Sequence, residues 1–337
     1  LKASVAYSSK RRNTRIRKII LLNRNNNMIH IACCSNEKLA PMFGVVVTSV
    51  GINVTSDDVM MYLLHNGLKD STVKRLQKIA DRYNMRLKFL EIDLEILKDC
   101  PTNDKIHYGN IMMYARILLP SMLPNLDKVI YLDCDLVVCK DLKSLWETDV
   151  NDVAVTMAPD LLYQDKATLS RLGINNNYLN SGVIVMNLDY WRKHDVQNRL
   201  LSYIVDKGNE LIYNDQDALN VILGDERRQL PAKYNVTPHY FLKNPENYPK
   251  EMQEERQEAI IDPVIFHYLG KIKPWSLGCY LPGKKLFMKY QKASGWRHFS
   301  IQKHALKRII YSLFPIVKKK GWEDKTYIEG WNNFYSI

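Results

Sequence analysis

Lys128-Val129-Ile130-Tyr131-Leu132-Asp133-Cys134-Asp135 is the stretch on which the fold turns. Val129, Ile130, Tyr131 and Leu132 are β-branched, aromatic or aliphatic, and a run this short and apolar reads as a strand buried on both faces. It leads straight into two carboxylates one residue apart. If the extended backbone continues, Asp133 and Asp135 project to one side and Cys134 to the other. Two acids converging at the carboxyl end of a strand suit a hard divalent cation such as Mg²⁺ or Mn²⁺. A turn or capping acid pair is the competing reading, because the chain carries a second such triplet at Asp215–Asp217.

Working outward, the same alternation of short apolar runs and amphipathic stretches recurs. Residues 28–34 read as a strand, 38–52 as a helix and 57–64 as a second strand. Over 70–83, Val73, Leu76, Ile79, Ala80 and Tyr83 give one apolar helical stripe. Residues 86–92 predict a third strand and 108–119 a helix. Strands alternating with helices imply a parallel sheet, with ligands at the carboxyl ends of its strands. Downstream, 153–157 and 182–187 predict strands, 195–207 and 215–223 helices, and 231–263, where Pro and Asn thicken, an irregular lobe. The run Val264-Ile265-Phe266 predicts another strand.

The chain of 337 residues is 46% hydrophobic and 25% charged, which excludes wholesale disorder and permits a sizeable core. No apolar run approaches the ~18 residues of a membrane span. Ile19-Ile20-Leu21-Leu22 is too short for the apolar core of a signal peptide, which argues against export and for the cytoplasm. The net charge of +12 is concentrated at the ends: residues 1–30 carry eight Lys/Arg and 264–322 carry thirteen, neither with an acid. The body between them is net acidic, which argues against a nucleic-acid binder and for local contact with an anionic surface. Three segments follow: a basic arm at 1–27, a catalytic body at 28–283, and a basic tail at 284–337. The arm is either an addition ahead of a start at Met28 or a genuine flexible extension. In the tail, 300–314 places Ile301, Ala305, Ile309 and Leu313 on one helical face, Pro315 stops the helix, and Lys318-Lys319-Lys320 follows. That is the composition of an interfacial helix with a polybasic flank, placing the protein at the inner face of a membrane; a helix docked on the body is the alternative. The six cysteines form no C-x-x-C pair and read as reduced, mostly core thiols.

Beyond Phe266 the chain reads His267-Tyr268-Leu269-Gly270-Lys271-Ile272-Lys273-Pro274-Trp275. A His ending a strand is a candidate third metal ligand, Gly270 lets backbone approach a ligand, and Lys273 can neutralise a phosphate. A core-edge His on an ordinary loop is the plainer reading. Three further stretches complete the pattern: Tyr178-Leu179-Asn180-Ser181-Gly182-Val183 leading into Asn187-Leu188 and Trp191-Arg192, Asn214-Asp215-Gln216-Asp217-Ala218-Leu219-Asn220, and Tyr114-Ala115-Arg116. In this order, from about Met28 to Trp275, the motifs resemble glycosyltransferase family 8, and within it the bacterial galactosyl- and glucosyltransferases that build surface glycans.

The resemblance implies an α/β GT-A fold, Rossmann-like with a mixed central sheet, and transfer of galactose or glucose from a UDP-sugar with retention of configuration. It implies Mn²⁺, with Mg²⁺ as the alternative, held by Asp133, Asp135 and His267. The acceptor would be a glycan, a glycoprotein or a lipid-linked sugar. Gly270 and Lys273 match positions that hold the diphosphate, and Ala32, Asn36 and Cys134 positions beside the nucleotide. Arg116, Asp160, Asn180, Ser181, Asp215 and Gln216 match positions around the donor sugar. Arg116, Asp215 and Gln216 are the expected catalytic set, Gln216 lying beside the anomeric carbon. One departure stands out. Where the family has an acidic pair, Asn and an aromatic after its first strand, this chain has Cys34-Ser35-Asn36-Glu37. A charged acceptor for the uracil N–H and a stacking platform are both missing. Two competing readings share these features: a metal-dependent nucleotidyltransferase and a noncatalytic or altered-donor paralogue. Gly278-Cys279-Tyr280-Leu281-Pro282-Gly283-Lys284-Lys285 only imitates a phosphate-binding Walker loop, since Lys285 stands where Ser or Thr must bind magnesium.

Overall fold

Strand β1 (Met28–Ser35) pairs in parallel with β2 (Asp58–His65), which pairs in parallel with β3 (Arg86–Glu91). Helices α1 (Ala40–Asn53) and α2 (Asp70–Arg82) supply the crossovers that parallel strands require. This computed structural model describes residues 28–296 except 103–110, 162, 165, 243–250, 271, 277, 278 and 280. The basic arm 1–27, the candidate helix 300–314 and the run Lys318-Lys319-Lys320 lie outside the described residues.

On the other flank of β1 lies β4 (Lys128–Leu132), also parallel. After the short β5 (Leu136–Val138) and β6 (Val155–Pro159), β7 (Leu179–Asn187) inserts between β4 and β6, antiparallel to both. Strand β8 (Arg227–Gln229) closes the edge, giving the order β3-β2-β1-β4-β7-β6-β8. One reversed strand thus makes the sheet mixed, as expected. Successive residues of β1 point to opposite faces. Ile29, Ile31 and Cys33 pack with Val46, Val50, Leu76 and Ile79 of α1 and α2. Ala32 and Cys34 pack on the far face with Tyr131, Trp191 and residues of α3 (Val196–Lys207) and α4 (Asn214–Leu223). Each wholly buried aliphatic chain such as Ile31 or Leu63 contributes roughly 1.5–3 kcal/mol, so the strand ends that carry the site stand on a rigid base.

A second, two-stranded sheet decides where the site forms. Strand β5 runs antiparallel to β9 (Ile265–His267), with Leu136 opposite His267. The amide of Tyr268 continues the ladder onto the carbonyl of Asp135, 2.9 Å away. Behind it, Val137, Phe266, Tyr268 and Phe287 form a third apolar cluster.

Several expectations shift. The described part of the helix expected over 108–119 is a 3₁₀ turn at Ile111–Leu118 followed by one α-turn at Leu119–Met122. Pro120 has no N–H to give the Arg116 carbonyl, so an α-helix cannot run through it. The stretch 195–207 holds α3, preceded by a separate short helix at Leu188–Lys193. The supposedly irregular 231–263 contains helix α5 (Glu251–Ile261). Its residues are good helix formers, but only Met252, Ala259, Ile260 and Arg256 are buried, too few to make a visible stripe. Arg256 anchors it, donating to the carbonyls of Tyr240 (2.7 Å) and Leu242 (2.6 Å). Residues 284–294 form α6 (Lys284–Ser294), which buries Leu286, Phe287 and Tyr290 against the body. Arg75 and Arg82 of α2 donate to the carbonyls of Gly295 and Ala293, both at 2.8 Å, so this first part of the tail packs with the body. No helix among the described residues is long and apolar enough to cross a membrane.

Candidate active site

The ladder of β4 ends with the amide of Asp133 donating to the Gly182 carbonyl at 2.9 Å. From there the chain turns toward β5. Cys134 faces inward, its thiol donating to the Cys34 carbonyl (3.2 Å), while Asp133 and Asp135 face the other way. The β5–β9 register sets His267 against them: Nε2 lies 3.1 Å from Asp135 Oδ1 and 3.8 Å from Asp133 Oδ2. One ligand atom from each residue falls within 4.8 Å of the others. This spacing and the two-oxygen, one-nitrogen donor set fit a divalent cation. Gly182 makes room for the imidazole, since a Cβ there would lie 2.1 Å from His267 Cε1.

Charge is arranged tightly around this point. Arg116 is buried, with Nη2 on Asp133 Oδ1 (2.9 Å), Nη1 on the Ser181 carbonyl, and its guanidinium 4.3 Å above the Tyr131 ring. The Tyr131 hydroxyl donates to the same Asp133 oxygen at 2.8 Å. Lys273 Nζ contacts Asp135 Oδ2 and donates to the Tyr268 carbonyl at 2.8 Å. Burial alone would raise the Asp135 carboxyl, yet Lys273 and His267 hold it well below the usual carboxylate range. Asp215 is different: burial, with Asp133 adding to it, pushes its carboxyl up to about 6 against the pull of Arg116. Its Oδ2 sits 3.1 Å from Arg116 Nε but accepts no hydrogen bond among the described residues. The reason is directional, because that N–H is spent on the Met113 carbonyl at 3.2 Å. A buried carboxylate oxygen is thus left for a hydroxyl donor.

Beside the acids runs a chain of amides. Asp160 Oδ2 accepts from Asn180 Nδ2 (2.9 Å) and Gln216 Nε2 (3.1 Å), and Gln216 Oε1 accepts from the Ser181 amide (3.0 Å). Asn220 clamps β7 by bonding both the amide and the carbonyl of Leu179, at 2.8 and 2.7 Å. The second acid triplet divides its work. Asp215 faces the site, whereas Asp217 is wholly buried and accepts from the Tyr178 hydroxyl (2.6 Å) and the Ile212 amide (2.9 Å).

The loop after β1 serves structure as well. Asn36 Oδ1 accepts from the Leu39 amide (3.0 Å) at the start of α1. Glu37 bonds the Lys69 amide (3.1 Å) and the Thr72 hydroxyl (2.9 Å), capping α2 from outside. Ala32 is buried on the sheet face that carries Tyr131. Gly270 adopts φ +85° in the loop toward Lys273, a conformation that favours glycine. Asn235 escaped the sequence reading. It reaches the site because Val236 bridges in parallel to Phe266, and nothing in its spacing marks it.

A family model for glycosyl transferase family 8 matches residues 30–278. The chain belongs to glycosyltransferase family 8. As a glycosyltransferase it is similar to general stress protein A of Bacillus subtilis (strain 168), 25% identical over 81% of this chain and 96% of that protein. It is also similar to lipopolysaccharide 1,2-glucosyltransferase of Escherichia coli (strain K12), 26% identical over 75% of each. Lipopolysaccharide 1,3-galactosyltransferase of Salmonella typhimurium is 24% identical over 86% of this chain and 85% of that one. Among solved structures, the galactosyltransferase LgtC in complex with donor and acceptor sugar analogs superposes with a TM-score of 0.72, at 24% identity over 79% of this chain and 96% of that one. The GT-A fold expected of the glycosyltransferase is therefore the fold it has.

Proposed function

We propose that this glycosyltransferase moves galactose or glucose from a UDP-sugar to a surface-glycan, glycolipid or glycoprotein acceptor, with retention and with Mn²⁺ as cofactor. The observation that carries the reading is the convergence of Asp133 and Asp135, in the turn between β4 and β5, with His267 at the end of β9, 132 residues beyond Asp135 in sequence. The named activities of the lipopolysaccharide relatives support the choice of hexose and of acceptor class. Asp133, Asp135 and His267 would hold the cation, which would supply charge neutralisation at the diphosphate and so improve the leaving group. Three carboxylates, Asp133, Asp135 and Asp215, face two cations, Arg116 and Lys273, so a dication reverses the excess charge and prepares the site for an anionic donor.

Lys273 takes the diphosphate, and Gly270 lets the backbone close over it. The free oxygen of Asp215 accepts a sugar hydroxyl, with Asp160, Asn180 and Ser181 bounding the same pocket. Arg116 braces Asp133 and Asp215 in one arrangement. Gln216, held by Asp160 and Ser181, stands beside the anomeric carbon; as an amide it is a weak nucleophile, and the departing phosphate accepts the acceptor's proton. Ala32, Asn36 and Cys134 border the nucleotide. With Cys34 and Ser35 in place of acids and Glu37 turned to α2, the uracil is held without a charged partner.

The test is a panel of nucleotide sugars with Mn²⁺, scored for hydrolysis without acceptor. UDP-galactose or UDP-glucose is expected to release UDP. Release of pyrophosphate instead would identify a nucleotidyltransferase, and neither hydrolysis nor transfer with any donor would identify a noncatalytic binding protein. We further propose a cytoplasmic location at the inner membrane face, reached through the basic tail. Deleting 300–337 is expected to abolish sedimentation with anionic liposomes; unchanged sedimentation removes the tail from this role.

A further inference from the structure

His267 must present one ring nitrogen to the metal and dispose of the other. Nδ1 lies 2.9 Å from Asn235 Oδ1 in a buried setting, and Asn235 Nδ2 donates to Asn180 Oδ1 at 2.7 Å. Asn180 Oδ1 also accepts from the Gly182 amide at 2.9 Å, while Asn180 Nδ2 donates to Asp160. These bonds have only one consistent direction. The Gly182 amide can only donate, so the Asn180 oxygen faces it. That oxygen then demands the amide nitrogen of Asn235, which turns the Asn235 oxygen to His267. An acceptor at Nδ1 requires the proton there.

We propose that Asn235 is a positioning residue for the metal site: its amide oxygen holds the His267 proton on Nδ1, so that the Nε2 lone pair faces Asp133 and Asp135. The inference rests on the metal reading above. It adds that the ligand's orientation is written into the backbone of β7 through Gly182 and Asn180. The imidazole is restrained on a second side by Gly182 itself, whose hydrogen is all the space allows. The same amide chain continues from Asn180 through Asp160 to Gln216. The metal ligand and the group beside the sugar therefore share one hydrogen-bonded frame. Partners that orient a metal-bound His in this way typically govern 10–100-fold in metal affinity.

Binding of Mn²⁺ alone, read from the EPR signal of the free ion, tests the proposal on wild type, N235L, N235D and D135A. N235L is expected to stay folded, with a lowered melting temperature because the buried Nδ1 proton loses its acceptor, and to bind Mn²⁺ about 10–100-fold more weakly. N235D keeps an acceptor at Nδ1 but turns a second oxygen toward Asn180 Oδ1, so it is expected to bind Mn²⁺ more tightly than N235L and more weakly than wild type, an order that loss of packing between side chains of similar size would not produce. A folded N235L with wild-type affinity overturns the role of Asn235. D135A separates the two readings: if it abolishes binding while N235L does not weaken it, only this inference falls, and if wild type binds no Mn²⁺, both do. Should N235L fail to fold, ¹⁵N NMR of metal-free wild type decides. A proton on His267 Nδ1 is expected, and a bare Nδ1 overturns the proposal.

Discussion

Asp135→Ala is expected to abolish Mn²⁺ binding and to lower sugar transfer by about a thousandfold, the equivalent of about 4 kcal/mol of transition-state stabilisation. The size follows from what the residue touches. Asp135 lies between His267 and Lys273 and offers one of the three ligand atoms of the cluster. Without it a bound cation would keep only one carboxylate, and the diphosphate of the proposed donor would leave with its charge less compensated. Lys273 also loses its anionic partner and keeps only the Tyr268 carbonyl. Asp135→Asn is expected to fall nearly as far, because an amide oxygen carries no charge. Steady-state transfer with a Mn²⁺ titration checks both variants. Full transfer by Asp135→Ala would end the metal assignment and the proposed function with it.

Arg116→Met is expected to destabilise the fold by about 3–5 kcal/mol and to eliminate measurable transfer. The side chain is 6% exposed and lies between two carboxylates. Removing it leaves Asp133 and Asp215 without the guanidinium between them, and it leaves the carbonyls of Ser181 and Met113 without their donor. Arg116→Lys should recover little of either property. A single ammonium cannot reach Asp133, Asp215 and two carbonyls in the fixed fork of a guanidinium. Urea unfolding monitored by circular dichroism measures the first effect, and a transfer assay the second. Wild-type stability in Arg116→Met would show that the acids do not need the guanidinium.

Much of the site was legible because its chemistry rests on residue types with few other uses. A strand that runs straight into Asp133-Cys134-Asp135 and a strand ending in His267 announce themselves, and the family pattern ties them together. Asp217 shows the opposite case. Its triplet with Asp215 has the same spelling as Asp133–Asp135, yet it anchors Tyr178 and the amides ahead of α4. Spelling cannot separate an acid paired with Arg116 beside the metal cluster from one that braces a loop, because the difference lies in which neighbours arrive. Glu37 is similar: read as a vacancy in the base platform, it closes a bond to α2, an element more than thirty residues away. Helix α5 was missed because its burial relies on Arg256 reaching carbonyls of a different segment, and a charged residue gives no apolar stripe.

From its linear order alone, the chain determined an alternating α/β architecture, the strand that carries the acids, the candidate ligands and the family. Those properties follow from hydrophobic periodicity and local spacing, which act over a few residues. Only the tertiary structure decided that His267 meets Asp135 through the β5–β9 register, that Gly182 leaves space for its ring, and that Asn235 Oδ1 lies against its Nδ1. Those are contacts between segments brought together by burial of the sheet, and hydrogen-bond direction is defined only once donor and acceptor are face to face.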